Sequence, residues 1–219
     1  MRAWIVGNGP SLNWTPLEKL NNEVTFGVNR ICEIWGDTYW RPTYYVRTES
    51  PRVADSMTYL QELKDIVATG IHCYLPKGWI REIGEHDNVE LINTCHHYKY
   101  AYFDSGSPHV WHLPMICDYA SSVCVAMQIA VLNGFDELYL VGCDLGYTDE
   151  GTSHFYEDGP DDRRIEANQT NLTILHGHMI ARKSSPVPIY NATLGGELEV
   201  HPRVSFFEVL NDAKERQTA

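Results

Sequence analysis

Short apolar runs recur along the chain and alternate with segments of helical period. Runs of strand length fall at Ala3–Val6, Val24–Val28, Thr43–Val46, Ile71–Leu75, Val89–Ile92, Glu137–Val141 and Val187–Tyr190. Several are apolar at successive positions rather than at every second one, the pattern of strands covered on both faces of a parallel sheet. Between Tyr119 and Leu132 the period changes. Val123, Met127 and Ala130 recur at helical spacing, and Ala126 and Ile129 widen the stripe. Asn133-Gly134 closes this helix with a residue suited to a left-handed cap. A second long helix is predicted from Ile165 to Arg182, and weaker ones at Leu17–Leu20 and Ser56–Ala68. Strands alternating with helices predict an α/β fold: an open, Rossmann-like, mostly parallel sheet with helices on both faces.

The pattern lapses twice. Residues 96–117 are rich in Tyr, His, Trp, Ser and Pro without a clean period, and residues 148–162 are polar, acidic and glycine-bearing. Both predict loops that form a lid over the sheet edge. The 219 residues suffice for a single domain spanning 1–219, with 96–117 and 148–162 as its lid segments. A net charge of −12 argues against broad binding to nucleic acid or anionic lipid, because phosphate backbones attract basic surfaces. No stretch approaches the roughly 20 apolar residues that span a bilayer. The start, Met1-Arg2-Ala3-Trp4-Ile5-Val6-Gly7, is interrupted too soon for a signal peptide, so a cytoplasmic protein is expected. The six cysteines form no C-x-x-C pair and most sit in apolar runs, as buried reduced thiols do.

Four segments carry candidate chemistry. In Ile5-Val6-Gly7-Asn8-Gly9-Pro10-Ser11-Leu12 a buried strand runs into a turn with two glycines. Glycines let backbone approach a phosphate, and ligands of α/β sheets bind beyond the carboxyl ends of strands. The loop is neither G-x-G-x-x-G nor a Walker loop, and a plain strand-to-helix turn is the alternative. In Leu140-Val141-Gly142-Cys143-Asp144 a second buried strand ends in a glycine and a carboxylate. Asp144 there suits a sugar or ribose hydroxyl, a metal, or the capping of a turn. Asp118-Tyr119-Ala120-Ser121-Ser122 opens the long helix, where free amides suit an anion and Asp and Ser also make ordinary caps. His154, in the polar loop, carries the side chain that ordinarily titrates near neutral pH, so it is a candidate general base or a solvated surface residue. His96-His97 and His176-x-His178 are weaker. Residues two apart on a helix do not face each other, so His176 and His178 are not read as a metal pair.

Taken together, Val6–Leu12 and Phe26-Gly27-Val28-Asn29-Arg30, with Ser121–Leu132, Gly134–Leu140 and Gly142-Cys143-Asp144, resemble the bacterial lipooligosaccharide sialyltransferases, glycosyltransferase family forty-two. The same pattern is similar to the broader DUF115 group, which includes 6-hydroxymethylpterin diphosphokinases and flagellin-modifying motility accessory proteins. Asp144-Leu145-Gly146-Tyr147, His154-Phe155 and the Ile189–Glu199 stretch lean towards that wider group. The resemblance covers both ends of the chain and hardly reaches residues 49–117. It implies a GT-A-like variant of the α/β fold. It implies that Gly7, Asn8, Gly9, Pro10 and Ser11 hold a cytidine nucleotide with Asn29 beside them. Ser121 and Ser122 match a nucleotide-binding segment whose Arg and Gly are missing here, and Asp144 joins the same set. His154 matches the catalytic base, with Tyr147 and Tyr156 assisting the leaving phosphate. The implied activity is transfer of a sugar from a nucleotide-sugar donor, such as a CMP-sugar carrying sialic acid or a related sugar, to a glycan or other hydroxyl acceptor, without a metal or other cofactor. The alternatives are a Mg²⁺- and ATP-dependent diphosphokinase, in which Asp144 would matter more, and a non-catalytic nucleotide-binding module of a surface-modification pathway.

Overall fold

The computed structural model describes residues 1–49, 56–95, 111, 115–117, 121–147, 153–157 and 167–218. Its strands are β1 (Arg2–Val6), β2 (Thr25–Val28), β3 (Tyr44–Val46), β4 (His72–Pro76), β5 (Val89–Cys95), β6 (Met115–Cys117), β7 (Glu137–Val141) and β8 (Ile189–Asn191). They form one sheet in the order β6-β5-β4-β3-β2-β1-β7-β8. Every strand pairing is parallel. From β1 the chain adds strands outward to β6, then returns to lay β7 and β8 on the other side of β1. The order therefore reverses between β1 and β7, and a crevice opens there at the carboxyl ends of the strands.

The α-helices are α1 (Ser56–Ala68), α2 (Ile80–Ile83), α3 (Ser122–Leu132), α4 (Ala167–Ser184) and α5 (Phe206–Thr218). They cover both faces of the sheet. Ala3 and Ile5 of β1 belong to a core shared with α3 and α4, whereas Trp4 and Val6 belong to one shared with α1 and α5. All four side chains are fully buried, so β1 reads as an unbroken apolar run. Trp4 stacks on Tyr139 at 5.0 Å and meets Phe206 edge-on at 5.5 Å, tying β1 to β7 and α5. The helix α3 is buried nearly all round from Cys124 to Ala130, as a helix wedged between sheet and a second helix must be.

The expected α/β architecture holds, with β1 between β2 and β7. Three local expectations need correction. The stretch 96–117, expected to be loop throughout, contains β6, a three-residue edge strand too short to show a period. Leu17–Leu20 is a 3-10 turn, in which Leu17 and Leu20 are buried. The helix α5 was not expected: Phe206 and Leu210 reach the core while most of its remaining residues are polar. The ends of α4 lie two residues beyond the predicted Ile165–Arg182. Residues 96–110, 112–114, 148–152 and 158–162 of the expected lid lie outside the described residues, as do Asp118, Tyr119 and Ala120. Cys32, Cys73, Cys117, Cys124 and Cys143 are thiols outside any disulfide. No helix among the described residues is long and apolar enough to cross a membrane.

Candidate functional site

The loop after β1 is stitched to the end of β7. Gly7 N–H donates to Val141 C=O at 2.8 Å and Gly9 N–H to Gly142 C=O at 2.8 Å. The Asp144 carboxylate then enters beneath the loop. Its Oδ1 accepts from Ser11 N–H at 3.2 Å and its Oδ2 from Ser11 Oγ at 2.8 Å. A Cβ on Gly9 would overlap this carboxylate, so only glycine admits Asp144 there. The backbone of Asp144 is held from the other side. Its C=O accepts from Glu197 N–H at 2.7 Å and Leu198 N–H at 3.2 Å. Gly196 adopts φ +72°, and a Cβ on it would strike the Asp144 backbone. Burial pushes the Asp144 carboxyl above its ordinary pKa, opposed by the Ser11 hydrogen bonds and the charge of Arg203.

Around this joint lies a cleft of about 470 Å³, its open mouth included. Gly7, Asn8 and Gly9 form one wall. Ser121 and Val123 at the start of α3 form another, and Gly142–Leu145 with Tyr147, Ser153, His154, Ile174, His178 and Leu198 complete it. Asn8 donates from Nδ2 to Val28 C=O at 3.1 Å, which leaves its Oδ1 without a hydrogen-bond partner among the described residues. Ser121 caps α3 in extended conformation, but its hydroxyl makes no capping bond, so the first-turn amides have no side-chain acceptor from the cap. No lysine or arginine belongs to the described cleft wall, and Asp144 is its sole carboxylate. Burial pushes the Cys143 thiol up, which keeps it protonated and unreactive. No group of three or more His, Cys, Asp or Glu among the described residues is placed to share a metal ion.

The segment 153–157 returns from the polar loop to this cleft. Phe155 N–H donates to Asn8 C=O at 3.0 Å. The His154 ring stacks on Tyr156 at 4.8 Å with 4° between planes, and meets Tyr147 edge-on at 5.5 Å. Tyr156 in turn lies against Arg30, whose guanidinium sits 4.8 Å from the ring centre. Arg30 is fixed by Glu33 at 2.6 Å and Glu62 at 2.8 Å, and its other side faces Tyr59 at 5.1 Å. Tyr147 is positioned from α4: Asn171 Oδ1 accepts from Gly146 N–H at 3.2 Å and Tyr147 N–H at 2.8 Å, and Asn171 Nδ2 donates to Tyr147 C=O at 2.9 Å.

The structure therefore gathers Gly7, Asn8, Gly9, Ser121, Asp144, Tyr147 and His154 on one cleft, with Tyr156 stacked behind His154. Pro10 and Ser11 are not on its wall; Ser11 is fully buried and its hydroxyl is engaged by Asp144. Asn29 and Ser122 also lie behind the wall. Asn29 takes a left-handed φ of 49° after β2, and Ser122 Oγ donates to its Oδ1 at 2.6 Å while sharing a 2.7 Å hydrogen bond with Thr48. Sequence reasoning missed Asn171, Ile174 and His178. Their spacing of three and four residues puts them on one face of α4, a signal that the polar neighbours of this helix obscured.

No family model matches the chain, and no curated protein does. Two solved structures share its fold. One is the MAf glycosyltransferase from Magnetospirillum magneticum AMB-1, with TM-score 0.58 and 18% identity over 99% of this chain. The chain spans only 37% of that protein's length. The other is the sialyltransferase CstII from Campylobacter jejuni in complex with the substrate analogue CMP-3FNeuAc. It has TM-score 0.50 and 14% identity, over 93% of this chain and 85% of that one.

Proposed function

We propose that this chain is a glycosyltransferase that moves a sugar from a nucleotide donor, a CMP-sugar, to a hydroxyl acceptor without a metal. The observation that carries the reading is the convergence of His154, the Gly7-Asn8-Gly9 loop and the start of α3 on one cleft at the sheet's switch point. The nucleotide lies against Gly7–Gly9 and Asn8, whose Oδ1 has no hydrogen-bond partner among the described residues. Its phosphate meets the first-turn amides of α3, where the helix dipole favours negative charge. His154 takes the proton from the acceptor hydroxyl as it attacks the anomeric carbon. Tyr147 and Tyr156 donate hydrogen bonds to the departing phosphate, offsetting charge as it develops. The shared fold of a glycosyltransferase and of a sialyltransferase solved with a CMP-sugar analogue supports this choice of donor.

The test has two stages. Thermal shift with CMP, UMP, GDP and ATP, and with CMP-sugars, identifies the nucleotide, because a ligand of the folded state raises apparent stability. Release of CMP from CMP-N-acetylneuraminate is then followed with EDTA and with Mg²⁺. The reading expects CMP and CMP-sugars to stabilise the protein and EDTA to leave turnover unchanged. Stabilisation by ATP alone, with activity abolished by EDTA, would replace it with the diphosphokinase reading.

A further inference from the structure

The cleft has a second imidazole that the proposed chemistry does not use. His178 lies on the same face of α4 as Asn171 and Ile174 and forms part of the cleft wall, yet it is only 2% exposed. Its Nδ1 lies 3.0 Å from Nε2 of His201, the rings crossing at 77°. His201 is itself 1% exposed, and its Nδ1 has no hydrogen-bond partner among the described residues. The chain around His201 is pinned to β8: Asn191 Nδ2 donates to Leu198 C=O at 2.6 Å and Asn191 N–H to Pro202 C=O at 2.9 Å. His178 is thus held by a partner on a separate, anchored element.

One proton lies between the two rings, and its place follows from the unpartnered nitrogen. A buried N–H without an acceptor is the rarer deficiency, which favours the tautomer with Nδ1 of His201 bare. His201 Nε2 then carries the hydrogen and donates it to His178 Nδ1. The remaining nitrogen of His178, Nε2, is left protonated. Both rings stay neutral at physiological pH, because burial pushes His178 down to about 4 and His201 to about 3. Arg182, one turn beyond His178 on α4, adds to the effect on His201. His178 therefore supplies a fixed, uncharged donor and not a second base.

We propose that His178 is a specificity-determining residue that donates a hydrogen bond to a hydroxyl of the transferred sugar, with His201 as the positioning residue that sets its tautomer. The inference rests on the donor reading above. The nucleotide half of the cleft is built by the loop after β1 and the start of α3, and His178 enters from α4 on the β7–β8 side. A sugar attached to a phosphate at α3 extends across the crevice toward that side.

The experiment pairs each nucleotide with its sugar conjugate. Calorimetry compares CMP with CMP-N-acetylneuraminate, UDP with UDP-N-acetylglucosamine and GDP with GDP-mannose, on wild type, His178→Leu and His201→Phe. In the pair that binds, His178→Leu weakens the conjugate roughly three- to tenfold, the loss of one neutral hydrogen bond, while the free nucleotide stays within about twofold. His201→Phe gives a smaller loss in the same direction. Equal affinity for the conjugate in wild type and His178→Leu, or an equal fall for conjugate and nucleotide, overturns the inference and leaves the donor reading standing. Failure of every nucleotide to bind wild type overturns both. Long-range proton–nitrogen spectra of the wild type provide an independent reading that does not depend on the variants folding. His178 must show a protonated Nε2, unchanged from neutral pH down to about 5.5, and a protonated Nδ1 overturns the assignment.

Discussion

Replacing Asp144 with alanine tests the joint on which the whole cleft is assembled. The substitution removes the acceptor of two donors on Ser11, its N–H at 3.2 Å and its hydroxyl at 2.8 Å. Ser11 is fully buried, so both of its donors lose their protein acceptor inside the fold. Hydrogen bonds to a charged group contribute about 1.5–3 kcal/mol each. Against this stands relief from burying a carboxylate, whose raised pKa records that cost. The net expectation is a loss of about 2–4 kcal/mol, or roughly 5–15 °C in Tm for a chain of this size. Ser11→Ala should lose about 1–3 kcal/mol. The double variant should fall short of the sum by about 1–2 kcal/mol, because each single change already destroys the shared bond. Urea denaturation of the four proteins measures this cycle. Additive singles, or an Asp144→Ala loss below about 1 kcal/mol, would refute the structural role given to the carboxylate. The pH dependence has a definite sign. With the folded pKa above the unfolded one, the native state binds more protons in the window just above the ordinary Asp value, so the contribution of Asp144 falls as pH rises through that window. Asp144→Asn should flatten that slope, its amide still accepting from Ser11 N–H and donating to Ser11 Oγ.

Four further outcomes are expected. His154→Ala should lower kcat about 10²- to 10⁴-fold with little change in nucleotide affinity measured by calorimetry, since the base touches the acceptor and not the donor. Arg30→Leu removes the guanidinium between Tyr156 and Tyr59, and should lower kcat more than it raises the donor KM in steady-state assays; unchanged kcat would show that the stack does not hold the 153–157 segment in place. Asn171→Ala breaks three bonds to the Gly146-Tyr147 turn and should cost about 1.5–4 kcal/mol in chemical denaturation, with reduced kcat. His178 and His201 titrate in the opposite sense to Asp144: their folded values of about 4 and about 3 lie below the ordinary His value of about 6.5, so stability is lost as pH falls from about 6.5 toward 4, and a His178→Leu/His201→Phe variant should show a flatter pH–stability curve in urea denaturation.

The strands were legible because burial on both faces leaves a one-dimensional trace. Ala3–Val6 reads as a strand from its own residues, and so does Glu137–Val141. The post-strand glycines placed the loop at the carboxyl end of β1, and the alternation of strands with helices implied a mostly parallel sheet, though not its strand order. What periodicity does not report is the partner. Ser11 looks like a phosphate ligand beside Gly9, but its hydroxyl is committed to a carboxylate 133 residues away. Asn29 and Ser122 look like independent residues, and a hydrogen bond joins them across 93 residues. His178 was set aside because His176 does not share its face, yet its partner lies on another element 23 residues on. The helix α5 was hidden because only Phe206 and Leu210 of its described residues are buried. In each case the missing information is a long-range contact that no window of neighbouring residues contains.

The engagement of Asp144 bears on the two chemistries that the sequence left open. A diphosphokinase of ATP must neutralise a triphosphate, and does so with carboxylate oxygens free to share a hydrated magnesium ion with it. Both side-chain oxygens of Asp144 accept from Ser11, and its carbonyl accepts from Glu197 and Leu198. A cation on those oxygens would share them with the bonds that seat the loop after β1. The departing phosphate of a CMP-sugar makes a smaller demand. It carries one phosphate, and its developing charge can be met by neutral donors already aimed and already dry, which lose little in reorganisation. The described wall offers neutral groups: the start of α3, where the Ser121 hydroxyl makes no capping bond, and Tyr147, with no lysine or arginine. The geometry of Asp144 is therefore that of a keystone for the loop after β1, and the proposed mechanism assigns proton transfer to His154 and not to this carboxylate.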